Sequence, residues 1–307
     1  GHVDLLAEEG GEHPDWVIDI ALTNADLKRS YESKASIEDV NLSLAARVEH
    51  FSFDGEAKPF TLLLELASAN VRDMAVFNDY LPPDGSLRFT RGTASLSADI
   101  ALQQDDADGW IKLESPALNA LVGDQSVSGD LTANMLLVDG VPRDMAFDMS
   151  GSELRLENVR VVGEEAQFSG AYWSSAIKLK RAETVLTRPP QLDIEADLSM
   201  SDSRPIVALF DNQGWSPKFL SNMLTVEDID GTAALRLADD QLKIFQAGVL
   251  SDKIEAAVKG TLGRDSRDAM IYLRYKKADG LIKLQDDSWN LDILKVRGKF
   301  DAYRVVP

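Results

Sequence analysis

Along most of this chain apolar and polar residues alternate one for one, and a glycine opens many of the alternating runs. The clearest phrases are GTASLSADIAL from Gly92, GDLTANMLLV from Gly129, GSELRLENVRVV from Gly151, GTAALRL from Gly231 and the short GTLG from Gly260. A period of two places Leu96, Ala98, Ile100 and Leu102 on one face of a strand and Ser95, Ser97, Asp99 and Ala101 on the other. The same pattern runs through WVIDIAL from Trp16, VNLSLAARVEHFSF from Val40 and PFTLLLELASA from Pro59, where Phe60, Leu62, Leu64 and Leu66 share a face. It returns in MAFDMS near Phe147, AQFSGAYW near Phe168, AIKLK near Ile177 and QLDIEADLSM from Gln191. KIEAAVKG from Lys253, MIYLRY from Met270 and LDILKV from Leu291 complete the set, so nearly the whole chain reads as β.

Turn residues separate these runs at Phe53-Asp54-Gly55, Pro82-Pro83-Asp84-Gly85, Asp108-Gly109, Asp139-Gly140, Asp230-Gly231 and Asp279-Gly280. Short connections of this kind predict an antiparallel meander. The irregular spacing of the glycines makes it a degenerate hairpin repeat with no fixed period. Two segments depart from period two and predict short helices. One is NVRDMAVFNDYL, with Asn70 as cap and Met74, Phe77 and Leu81 on one side; the other runs from Ser203 to Leu224. Their apolar sides suit them to lids or plugs on the greasy face of the sheet. The second interruption divides the chain into segments 3–202 and 203–307, unless the two form one continuous domain.

Composition is that of an ordinary globular protein, with 44% hydrophobic and 27% charged residues in 307. The formal net charge of −19 argues against nucleic acid or an anionic bilayer as a direct partner unless the basic residues gather on one face, and they do not gather in sequence. Lys178, Lys180 and Arg181, and Lys276 with Lys277, are the local concentrations, and they read as solvated strand faces. Cysteine is absent, which removes disulfides, thiol chemistry and cysteine zinc sites. No signal peptide and no run of about 18 apolar residues is present. Gly1 and His2 resemble a cloning remnant, so an anchor or export signal is expected to lie outside this fragment.

Enzyme signatures fail on spacing. His13 and His50 have no partner histidine at i+4 and no serine elbow, and there is no dinucleotide or Walker glycine loop. Asp106, Asp108 and Gly109 align with a calcium loop, yet Gln104 falls at its first ligand position and Ser115 at its twelfth. A frame starting at Val226 fails likewise, with Leu237 twelfth. Neither a catalytic residue, a metal ligand nor a cofactor site is expected. Carboxylate pairs from different strands leave a carbohydrate-active protein as a weaker third possibility. An outer-membrane barrel is disfavoured, because aromatics are 7% and the outward faces carry Asp, Glu and Lys.

NVRDMAVFNDYLPPDGSLRFTRGTASLSADI, from Asn70 to Ile100, joins a short helix, a Tyr-Leu-Pro turn and a glycine-led alternating strand. This resembles the AsmA-like and TamB-like proteins of bacterial envelopes, the repeating β-groove group of bridge-like lipid-transfer proteins. MSGSELRLENVRVVGEEAQFSGAYW and DSRPIVALF are similar to repeats of the same group. The resemblance implies a mainly β fold in which the antiparallel meander curls into an elongated groove, apolar on one side. It also implies a non-enzymatic periplasmic role in sheltering or conducting lipid acyl chains, with other envelope proteins as partners and membrane contact only through segments absent here. The groove wall is expected to include Leu96, Ile100, Leu131, Met135, Leu154, Leu192, Ile194, Leu198, Ile254 and Val258. A β-sandwich would show the same alternation, and with it a structural or adhesion module whose apolar core is protein and holds no lipid.

Overall fold

Most of the alternating runs are strands in the computed structural model, which describes residues 1–8, 15–28, 36–49, 60–81, 87–122, 125–162, 173–185, 190–202, 227–239, 241–263, 267–286 and 288–305. The run AQFSGAYW lies outside the described residues apart from Trp173, as does the end of VNLSLAARVEHFSF beyond Glu49. The class is mainly β, and consecutive strands pair antiparallel as a meander. Two units divide the chain: residues 1–121 with 128–148, and residues 122–127 with 149–307. The boundary expected at residue 203 lies outside the described residues, as do the helix expected over 203–224 and the turns at Phe53 to Gly55 and Pro82 to Gly85.

The first unit carries β1 (His2–Glu8), β2 (Asp15–Leu27), β3 (Ile37–Val48), β4 (Phe60–Val71), β5 (Leu87–Arg91), β6 (Ala94–Gln103), β9 (Ala146–Asp148) and all but the adjoining ends of β7 (Asp106–Val122) and β8 (Gln125–Val141). Register aligns its aliphatic residues across strands: Leu44 on β3 faces Leu64 on β4, which faces Ile100 on β6. Bulges interrupt β2, β3 and β4 between Leu22 and Ala25, between Glu38 and Leu42, and between Leu66 and Ala69. Asn24 and Asp39 take left-handed backbone there, with φ of 49° and 53°, a conformation that short polar side chains tolerate. Asn41 secures the site by accepting from the Asn24 N–H at 3.1 Å and donating to Ser68 Oγ at 2.9 Å. Beyond the bulge the apolar stripe of β4 resumes at Ala69 and Val71, both buried.

The helix expected from Asn70 is a 3-10 helix over Met74–Tyr80. Asn70 belongs to β4 and bonds the Asp39 carboxylate at 3.0 Å; the cap is Asp73, whose side chain accepts from the Ala75 N–H at 3.0 Å. Met74 is 1% exposed among Val71, Ala94 and Leu118, so the helix plugs the apolar face as expected of it. Asn78 fixes it to β5 by donating to the Phe89 carbonyl and accepting from the Phe89 N–H, both at 2.8 Å.

The second unit carries β10 (Glu153–Val162), β11 (Trp173–Val185), β12 (Gln191–Asp202), β13 (Glu227–Ala238), β14 (Gln241–Leu250), β15 (Ile254–Leu262), β16 (Arg267–Tyr275), β17 (Ala278–Gln285), β18 (Ser288–Asp292) and α1 (Val296–Ala302). Here LDILKV departs from the expected strand. Pairing stops at Asp292, Lys295 turns left-handed with φ of 50°, and α1 begins at Val296. Val296 and Phe300, four apart, land on one helix face and pack against Tyr272 and Leu281.

The Asp-Gly pairs read as turns lie inside strands instead. Asp108-Gly109 is in β7, Asp139-Gly140 in β8, Asp230-Gly231 in β13 and Asp279-Gly280 in β17. The chain reverses at other residues: Gln104, Asp239, Lys276 and Asp286 carry the positive φ of the hairpin loops. Glycine serves close backbone approach. At Gly260 a Cβ would fall 2.5 Å from both the Ala269 Cβ and the Asp268 carbonyl oxygen, whereas at Gly280 the nearest atom is a Leu291 methyl at 3.9 Å. Gly260→Ala is therefore expected to lower stability by about 1–3 kcal/mol through overpacking. Gly280→Ala should be neutral or stabilising by up to about 1 kcal/mol, since it only restricts the unfolded chain. Urea denaturation of the two variants checks the contrast, and equal losses would contradict it.

Candidate functional site

Register in the second unit assembles aliphatic rows that run across the strands. One joins Ile194, Leu235, Ile244, Gly260, Ala269 and Leu284 from β12 to β17. The next joins Ala196, Ala233, Ala247, Val258, Ile271 and Ile282, and a third joins Leu198, Gly231, Val249, Ala256, Leu273 and Gly280. Leu154 continues the third row through Ile177 on β11. Charged residues of this face, among the described ones, are confined to strand termini: Asp202 opposite Glu227, and Arg267 beside Leu262. Most of the large aliphatic side chains in the rows are half-buried, so the face is neither sealed nor fully open to water.

Six of the ten residues expected on the wall share this face. Leu192, Ile194 and Leu198 are half-buried, Val258 likewise, Ile254 is buried and Leu154 is exposed. Leu96 and Ile100 lie on the corresponding face of the first unit, where they oppose Leu113 and Gly109. Leu131 packs on the Val71, Met74, Ala94 and Leu118 cluster, and Met135 is half-buried on β8. Leu235, Ile244, Val249, Ile271, Leu273 and Ile282 belong to these rows, Leu237 lies on the same face opposite Leu192, and none was among the expected residues. Their period-two spacing was the available signal, and it needed the register to connect them.

The opposite face holds the charge. Arg181 meets Asp193 at 3.0 Å and Glu195 at 3.4 Å, and Arg236 meets Asp193 at 2.6 Å. A shallow depression of about 370 Å³ lies where Ser174, Ser199 and Ser201 stand between Arg155 and Asp230. Its charged lining is Glu157, Asp228 and Asp230 with Arg155, which is bound to Glu153 at 2.8 Å, and no histidine stands among these lining residues. Among the described residues no group of three or more His, Asp or Glu is placed to hold a metal ion. Comparisons with protein-family models, with curated proteins and with solved structures give no match to this chain.

Toward β18 the charged face is covered by α1. Its Phe300 ring lies 5.8 Å from that of Tyr272, the Lys259 ammonium sits 4.8 Å above Phe300, and Arg297 bridges to Glu255. Tyr303 Oη, just past the helix, donates to the Asp268 carbonyl at 3.2 Å. Burial pushes its phenol up to about 12, and the Asp268 carboxylate acts in the same direction. The folded chain thus holds the phenolic proton more tightly than the unfolded chain, whose tyrosine titrates near about 10. The stabilisation is complete below that value and is lost as pH rises through the folded value. Tyr303→Phe should cost more stability at about pH 8 than at about pH 12. Guanidinium unfolding at the two pH values measures this, and a loss independent of pH would refute it.

Proposed function

We propose that this protein is a non-enzymatic module that shelters or conducts lipid acyl chains along an apolar groove. The observation that carries the reading is the set of aliphatic rows of the second unit, free of charge away from the strand ends and half-exposed. A sheet closed by a second sheet buries its inner rows almost completely. Half-exposed Leu, Ile and Val in continuous rows instead suit an exchangeable apolar guest, since they make no hydrogen-bond demand and regain contacts when a chain lies on them. The resemblance to AsmA-like and TamB-like envelope proteins supports the same reading. It is the basis for proposing a periplasmic location, membership of that group and other envelope proteins as partners.

Ile194 tests the proposal because it sits mid-row and is half-buried. In a groove, Ile194→Asp can turn its carboxylate to water once the guest leaves. The variant is then expected to fold with a loss of about 1–2 kcal/mol and to lose bound acyl chains. Solvent extraction and mass spectrometry of both purified proteins, alongside denaturation curves, make the measurement. Wild-type protein without acyl lipid, together with collapse of the variant, would favour the structural or adhesion module with a protein core.

A further inference from the structure

The aliphatic rows of the second unit end on β18, where Leu284 meets Trp289 and Ile282 meets Leu291. Both end residues are open to water, with 47 and 68% of their surfaces accessible, and Ser288 and Asn290 are exposed as well. β17 is the one strand paired with β18 among the described residues, so β18 is a sheet edge. Proteins guard such edges with lysine, proline, a bulge or a covering element, because unpaired N–H and C=O groups accept another strand. Ser288–Asp292 contains no lysine, proline or bulge, and α1 packs on Tyr272 and Leu281 of β16 and β17.

The hairpin decides which backbone groups the edge offers. Gln285 pairs with Ser288 across two intervening residues, and a hairpin of that length closes on a hydrogen-bonded pair. Pairs alternate in type along an antiparallel ladder, so Lys283 with Asn290 is hydrogen-bonded too, and Trp289 and Leu291 turn their N–H and C=O to the open side. An antiparallel copy of the same strand, centred on Asn290, matches this edge. Trp289 of each copy then exchanges both hydrogen bonds with Leu291 of the other, Ser288 stands opposite Asp292, and the two Asn290 residues meet on a two-fold axis. No like charges oppose one another, and tryptophan against leucine is a favourable cross-strand pair.

We propose that β18 is a dimerisation edge that pairs with β18 of a second copy. The axis stands perpendicular to the sheet, so both aliphatic faces lie on the same side and the rows ending on Trp289 and Leu291 run on into those of the other copy. Pairing needs no guest on the rows and is independent of their use as a groove. The net charge of −19 opposes contact between copies, yet residues 276–299, which form β17, β18 and the start of α1, hold six Lys or Arg against four Asp. Charges farther than about 8 Å apart are largely screened at physiological ionic strength, and added salt is expected to strengthen the dimer.

Because the chain has no cysteine, a single introduced thiol reports the register. In the paired state the two Asn290 Cα atoms lie about 4.5 Å apart, within disulfide range, so Asn290→Cys is expected to give a covalent dimer on mild oxidation. Ser288→Cys, whose counterpart lies four residues along the paired strand and about 14 Å away, should give almost none. Sedimentation equilibrium should show a concentration-dependent dimer for wild type. Asn290→Lys sets two ammonium groups on the axis beside Lys283 of each copy and should weaken the dimer about tenfold, while an equimolar mixture with Asn290→Asp restores it. Circular dichroism verifies the fold of each variant. Wild type monomeric at every concentration, equal cross-linking at the two positions, or no recovery in the mixture would overturn the proposal. So would a dimer lost with Ile194→Asp and kept by Asn290→Lys, since the aliphatic faces would then be stacking. Dimerisation by protein that carries no acyl lipid would count against the groove alone.

Discussion

Phase is the constraint on which this fold depends. Strand side chains alternate with period two, so one uncompensated residue would carry every Leu, Ile and Val beyond it to the charged face. The chain contains such residues and compensates for them. On β2, β3 and β4 the slips at Ala25, Asp39 to Asn41 and Ala69 fall side by side, so the aliphatic rows change phase together and continue. Asn24, Asp39 and Asn41 supply the left-handed backbone and the cross-strand hydrogen bonds that make the shift possible. In the second unit the bulge on β14, between Ile244 and Ala247, likewise lets both residues remain on the aliphatic face.

The two faces of the second unit are stabilised by different means. The charged face has cross-strand ion pairs and, near β18, a helix with two aromatic contacts and its own ion pairs. Partly exposed pairs such as Arg236 with Asp193 contribute little each, on the order of 0–1 kcal/mol. Burial of Phe300, Val296, Tyr272 and Leu281 stabilises that region more than the ion pairs do. The aliphatic face has its own small cluster at Met200, Ile229 and Ile254, while the rows beyond it stay half-exposed. Stability is thus concentrated where no guest would need to enter.

Which residues share a face was legible from the sequence, because alternation needs only neighbours: Leu192, Ile194 and Leu198 read correctly from QLDIEADLSM alone. What fails is any inference about partners across strands. Asp-Gly is a strong turn signal because Gly permits positive φ, yet Gly260 and Gly109 are required by the closeness of an opposing backbone, which no local pattern records. Turns built on Gln104 and Lys276 carry little compositional signal. α1 was missed for a related reason. Leu291 and Ile293 alternate like a strand, and the helix becomes favourable only because Tyr272 and Leu281 receive Val296 and Phe300. Tertiary contact, absent from any window of sequence, decides the matter.

A half-exposed aliphatic face invites self-association, and the charge of the chain opposes it. Stacking two such faces would bring together two bodies of net charge −19, and alternation has already removed mid-row charges that could pair across the contact. Repulsion of this kind is long-ranged only within the screening distance, so it acts as a bias on encounter without adding to the stability of one copy. The acidic excess therefore fits the alternation physically: carboxylates spread over the charged faces repel a second copy, while the mid-row positions of the aliphatic face stay free of charge.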